Sequence, residues 1–162
     1  MPIKPKGIII HSMAEYLKVD NQPVKAYDFI KSVRLSVHGF IHPDGTYQHM
    51  IKSPGKAHHA GTSEWNGLKH LNSHYLGIEI LVPGNHDYKS FLKALKKPGI
   101  YTSAQFKCAV EVCKYWIKLY NIPLENIVRH SDCSGDHVRG KNKGKKDPGP
   151  SFDWKSFKEA LK

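Results

Sequence analysis

LGIEILV, residues 76–82, is the most apolar stretch of the chain, and its length and β-branched content predict a buried strand. Side chains alternate along a strand, so Ile78, Ile80 and Val82 share one face and Gly77, Glu79 and Leu81 share the other. Glu79 is the odd residue. Burying a carboxylate without a partner is strongly unfavourable. Its face is therefore a solvated cleft, or Glu79 has a partner, or the strand is an edge with Glu79 exposed.

Outward from this strand the chain alternates between strand and helix signals. Gly7 to His11 (GIIIH) reads as a second buried strand with a polar end, followed by a connection over Ser12 to Asn21. Tyr27 to Val33 predicts a short helix. LSVHGFI at 35–41 and TYQHMI at 46–51 predict two strands joined by a turn, for which Asp44-Gly45 is a strong hairpin signal. The polar, Gly-, Ser- and His-rich segment from Lys52 to His74 reads as a loop on the active face. Pro83 to Asp87 form a turn and Tyr88 to Leu95 a helix.

The clearest helix starts at Thr102. TSAQ is a capping box, and Phe106, Ala109, Val110, Cys113, Ile117 and Tyr120 then recur at helical spacing until Asn121 and Pro123 end it. Asn126 to Arg129 predict a last strand, and Asp153 to Leu161 a closing helix. The expected architecture is α/β: one domain over residues 1–162, with a central mixed sheet flanked by helices on both faces and the site at the strand ends.

The totals narrow the function. A chain of 162 residues that is 40% hydrophobic fits one core. No apolar run is long enough to span a membrane, and MPIKPKGIIIH is too short in its apolar part for a secretion signal. The expected location is cytoplasmic as synthesised, with any action on a cell wall requiring release by something else. Three cysteines, an odd number, do not make a disulfide framework. A net charge of +11 favours an anionic partner, either nucleic acid or a bacterial wall polymer. Lysine far outnumbers arginine and no basic stripe interleaves with aromatics, which argues against a nucleic-acid reader. No membrane partner is expected, and a monomer is.

The C-terminal stretch RHSDCSGDHVRGKNKGKKDPGPSFDW, residues 129–154, carries the chemistry. His130 and Asp147 can serve as two ligands of a zinc ion, and His11, leaving the end of the first strand, is a third. Pro148 holds Asp147 extended. Alternatives remain: a lone histidine is more often structural, Cys133 could replace Asp147, and His70 and His74 have HxxxH spacing without the glutamate of a zinc-protease helix. Glu79 beside such a metal is a candidate general base. Lys145 lies near enough to Asp147 in sequence to reach a developing oxyanion, although Lys141, Lys143, Lys145 and Lys146 together also read as a solvated basic loop.

Taken in order, IIIHS at 8–12, SVHGFIHPDGTYQH at 36–49, HHAGTSEWNG at 58–67, LGIEILV and KKDPGPSFDW resemble the zinc-dependent N-acetylmuramoyl-L-alanine amidases of the amidase-2 and peptidoglycan recognition protein family. The resemblance runs over nearly the whole chain. It implies Zn2+ held by His11, His130 and Asp147, with Glu79 and Lys145 catalytic. It also implies hydrolysis of the amide between N-acetylmuramic acid and L-alanine in peptidoglycan or muropeptides, in a phage or bacterial lytic enzyme (an endolysin) or a wall-recycling one. His38, His59, Trp65 and Asn66 would contact substrate, with Trp65 either stacking on it or packing in the core. Two departures stand out. An insertion around His137 to Gly144 lengthens the spacing from His130 to Asp147, leaving Lys145 or Lys146 as the reaching lysine. Val37 precedes His38 where some phage members have tyrosine. The alternative reading is a non-catalytic peptidoglycan-binding module; such members usually lack a zinc ligand, and none is missing here.

Overall fold

The computed structural model describes residues 1–162. The strands are β1 (Gly7–Val19), β2 (Gln22–Lys25), β3 (Gly39–Ile41), β4 (Tyr47–His49), β5 (Glu64–Trp65), β6 (Leu68–Lys69), β7 (Tyr75–His86) and β8 (Ile127–Arg129). The helices are α1 (Ala26–Ser32), α2 (Tyr88–Ala94), α3 (Ser103–Tyr120), α4 (His130–Ser134), α5 (Asp136–Arg139) and α6 (Trp154–Ala160). The main sheet runs β2-β1-β7-β3-β4, and β8 pairs with the first part of β1. β1 lies parallel to β7 and β8, β3 lies parallel to β7, and the β1–β2 and β3–β4 hairpins are antiparallel. This is the expected mixed α/β sheet.

Alternation along the strands divides the core. Ile8, Ile10, Leu76, Ile78 and Ile80 pack with Ala109, Cys113 and Trp116 of α3 and Phe157 of α6. On the other face, Ile9 packs with Leu71, Tyr75, Val128 and Cys133, while Phe40 and Leu81 pack with Ala26 and Ile30 of α1. Each fully buried Ile or Leu contributes roughly 1.5–3 kcal/mol. His11 and Glu79 alternate onto this second face, opposite α3.

Two strands exceed their expected bounds, and two fall short, β4 keeping only Tyr47–His49 of the expected 46–51. β1 does not stop at His11, because Ser12, Met13 and Ala14 go on pairing with Ile80, Leu81 and Val82. It then turns back at Asp20-Asn21, both left-handed with φ 50° and 62°, as a two-residue hairpin turn needs. The expected connection over 12–21 is thus mostly strand. β7 likewise runs through the expected turn at Pro83 to His86, after a bulge that re-pairs Tyr16 with Asn85. Conversely, of the expected strand 35–41 only Gly39–Ile41 is regular, since only these residues pair with both β4 and β7.

α3 is fixed at its start by the capping box. Thr102 Oγ1 accepts the Gln105 N–H at 3.1 Å, and Gln105 Oε1 accepts the Thr102 N–H at 3.0 Å. Gln105 Nε2 also donates to the carbonyls of Ile41 and Leu81, tying the helix to β3 and β7. Thr102→Ala is expected to lower stability by about 1 kcal/mol, read as a lower urea midpoint with an unchanged m value. An unchanged midpoint would show that the cap is not limiting.

Candidate metal centre

Strand register makes the site. β1 and β8 are parallel with Ile10 beside Arg129, so the next residues, His11 and His130, leave abreast. β1 and β7 place Glu79 directly beside His11. β8 ends at Arg129, which frees the Ser12 N–H, and Asp147 Oδ2 accepts it at 3.1 Å. The Asp147 loop is held by its own backbone: the Asp147 carbonyl accepts the Ser131 N–H, and Tyr101 Oη donates to the Pro148 carbonyl at 2.6 Å. The Asp147-Pro148 bond is cis.

One donor atom from each of His11, His130 and Asp147 lies within 4.8 Å of the others, and all three residues are buried. His130 Nδ1 sits 3.2 and 3.1 Å from the two Asp147 oxygens, and His11 Nδ1 is 3.8 Å from Oδ2. Two imidazoles and a carboxylate are the donor set of a three-protein-ligand catalytic metal site, so the group can hold a metal ion. The other sites weighed from the sequence do not assemble. Cys133 packs among Ile9, Leu71 and Val128, and His70 and His74 join no such cluster.

The electrostatics sort the groups by charge. Burial, then His130 and His59, hold His11 well below its usual pKa, so its ring is neutral. Burial would raise the Asp147 carboxyl, but His130, the Ser12 N–H and Lys145 outweigh it and hold it below the usual range. Glu79 goes the other way. Burial, then the Asp147 charge, push it well above an ordinary glutamate, and Lys145 only partly opposes them. Glu79 is 8% exposed and its Oε2 has no hydrogen-bond partner.

A cleft of about 350 Å³ is lined by Glu79, His130, Lys145, Lys146 and Asp147 together with apolar side chains of α1 and α2. Both candidate lysines line the cleft, but their charged neighbours differ. Lys145 interacts with His11, Glu79 and Asp147. The Lys146 ammonium lies 3.5 Å from Asp136. Asp136 also accepts the N–H groups of Asn142 and Gly144, so the inserted segment winds around its carboxylate.

The remaining sequence candidates fall in different places. His59 lines the cleft, and its Nδ1 is 2.8 Å from His11 Nε2, an association across 48 residues that no local motif signals. His38 is fully buried, with Nδ1 accepting the Gly77 N–H and Nε2 against the Gly55 carbonyl. Trp65 and Asn66 do not line the cleft. Trp65 packs against the cluster that contains Ile9, Leu71 and Val128, and its indole N–H donates to the Glu125 carbonyl at 3.2 Å; Asn66 is an exposed turn residue with φ 48°.

A mixed sheet that brings together two histidines, an aspartate and a buried glutamate gives an α/β protein with a group able to hold a metal ion. The N-acetylmuramoyl-L-alanine amidase family model matches residues 1–150, and the chain belongs to that family. It is 29% identical over 140 residues, 86% of this chain, to the 1,6-anhydro-N-acetylmuramyl-L-alanine amidase AmpD of Escherichia coli K12. The matched stretch spans 66% of that relative's length, and 58% of the Salmonella typhimurium one. Among solved structures, Escherichia coli AmiD in complex with an anhydro-N-acetylmuramic acid peptide superposes with a TM-score of 0.72 at 22% identity, covering 99% of this chain and 58% of that one. The endolysin LysCS of Clostridium intestinale superposes with a TM-score of 0.65 at 22% identity, covering 98% and 84%. These two likenesses speak to the fold. No helix is long and apolar enough to cross a membrane.

Proposed function

We propose that the chain is a zinc-dependent amidase that hydrolyses the bond between N-acetylmuramic acid and L-alanine, with His11, His130 and Asp147 as ligands. The observation that carries this reading is Glu79: a buried carboxylate with a raised pKa and an unpartnered oxygen, paired in register with His11. Such a group is costly to the fold and suited to moving a proton. Zinc bound there supplies a Lewis acid for the scissile carbonyl and lowers the pKa of water.

Glu79 takes a proton from the attacking water as its oxygen bonds to the lactyl carbonyl carbon. It returns that proton to the alanine nitrogen as the C–N bond breaks, so the stem peptide leaves as an amine. The Lys145 ammonium donates to the oxygen on which negative charge develops. The apolar walls on the α1 and α2 side limit water around the peptide. Family membership supports the reaction class, and the relatives named for 1,6-anhydro substrates support muropeptides as the substrate class. The net charge of +11 complements anionic wall polymers, so whole sacculi are tested alongside soluble muropeptides.

The test is mass-spectrometric detection of stem peptides with a new L-alanine amino terminus, using zinc-loaded protein. Lys145→Ala is expected to slow release by about 10²–10³-fold. Lys146→Ala, whose partner is Asp136, is expected to leave the rate within a few fold. Equal effects of the two would remove the assigned role from Lys145. Tight zinc binding without cleavage of either substrate would favour the binding-module reading.

A further inference from the structure

We infer that His59 is a positioning residue that fixes His11 in the tautomer able to bind metal, and that Asn72 and Gly77 exist in this fold to seat it. The inference rests on the zinc reading above. A metal-binding histidine is normally oriented by an acceptor for its other ring N–H, and here that acceptor is another histidine.

The hydrogen-bond directions follow from counting donors. The nearest partner of His59 Nε2 is the Tyr75 carbonyl at 3.1 Å, which can only accept, so Nε2 carries the proton. In a neutral ring, Nδ1 of His59 is then an acceptor. It faces His11 Nε2 at 2.8 Å, so His11 donates from Nε2. The His11 Nδ1 lone pair is left bare on the side of Asp147 and His130. The relay runs from the Tyr75 carbonyl through His59 to His11, and it ends on a free lone pair at the ligand cluster.

Two features hold the relay in place. The Asn72 side-chain carbonyl accepts the N–H groups of both His59 and Ala60, at 2.9 and 2.8 Å, pinning the segment that carries the ring. On β7, a Cβ at Gly77 would lie 2.5 Å from His59 Nδ1 and within 2.8 Å of the ring carbon Cγ. Gly77 carries no unusual φ, so the missing side chain serves close approach. The same pinned segment offers the Ala60 carbonyl to His130 Nε2 at 3.4 Å, so both histidine ligands lean on residues 59 and 60.

The experiment compares wild type, His59→Phe and His59→Gln. Phenylalanine keeps a planar ring without an acceptor, and glutamine restores an acceptor oxygen. Zinc affinity is read by chelator competition, and the His11 tautomer is read by long-range ¹H–¹⁵N correlation on metal-free protein. His59→Phe is expected to weaken zinc about 10- to 100-fold and His59→Gln to recover most of it. His11 in the metal-free wild type is expected to carry its proton on Nε2. Gly77→Ala, which displaces the ring without removing it, is expected to weaken zinc in the same direction. An unchanged affinity in folded His59→Phe, or a proton on His11 Nδ1, overturns the relay while leaving zinc binding intact. A wild type that binds no zinc yet shows the Nε2 tautomer overturns the relay's purpose together with the ligand assignment.

Discussion

Glu79→Gln lowers amide hydrolysis by about 10²–10⁴-fold, the range for loss of a positioned general base, while zinc content and affinity stay near wild type. Glutamine keeps the size of the side chain but cannot carry the proton from water to the leaving nitrogen. Glu79 lies outside the cluster formed by His11, His130 and Asp147, so the metal-binding groups remain. The same substitution has a pH signature. Glu79 must be ionised to act, so wild-type turnover falls as pH drops through its pKa, and that limb is expected to be missing from the residual rate of the variant. Its effect on stability has the opposite sign. The folded pKa is raised by burial and Asp147, so the folded state holds this proton more tightly than the unfolded chain. The protonated carboxyl's contribution is therefore full below the unfolded value and is lost as pH rises through the folded one. Metal-free wild type should weaken over that interval relative to metal-free Glu79→Gln, as followed by urea denaturation across pH. Full activity in Glu79→Gln would remove the base assignment.

Asp147→Ala abolishes both zinc binding and turnover, and it also destabilises the metal-free protein. Two losses combine. The cluster loses its only anionic ligand, leaving two neutral nitrogen donors. The Ser12 N–H at 3.1 Å loses its acceptor in a buried setting, where an orphaned polar group costs about 1–3 kcal/mol. Asp147→Asn separates the two effects. Its carbonyl can still accept from Ser12, so most stability returns, whereas zinc affinity stays low because the charge is gone. Calorimetric zinc titration and urea denaturation of both variants read these outcomes. Retention of zinc in Asp147→Ala would exclude Asp147 from the ligand set.

The parts of the fold legible in the sequence are those set by local physics. LGIEILV forms a buried strand, Thr102 and Gln105 form the capping box, and Asp44-Gly45 turns the β3–β4 hairpin. The second half of β1 was not legible. Its residues beyond Ala14 are partly buried or exposed, and its turn depends on Asp20 and Asn21 both adopting left-handed geometry. Residues 35–38 misled in the other direction. Val37 and His38 are buried as a strand would be, and their carbonyls accept the Ile51 and Met50 N–H groups while the His38 N–H donates to Gly77, but the regular β3–β4 ladder starts only at Gly39. The grouping of His11, His130 and Asp147 was readable as chemistry before it was geometry. What brings them together is the parallel register of β1 and β8, which no local pattern specifies. The contact between His59 and His11 lay further out of reach: it depends on a bare glycine in β7 and one asparagine side chain.

The measurement that bears most directly on this account is a zinc titration of metal-stripped protein, recording stem-peptide release from peptidoglycan at each addition. The account predicts no release without metal and a rate that rises in proportion to zinc, levelling at one equivalent per chain. Full activity in the stripped protein, or saturation with zinc and no released peptide, would contradict it.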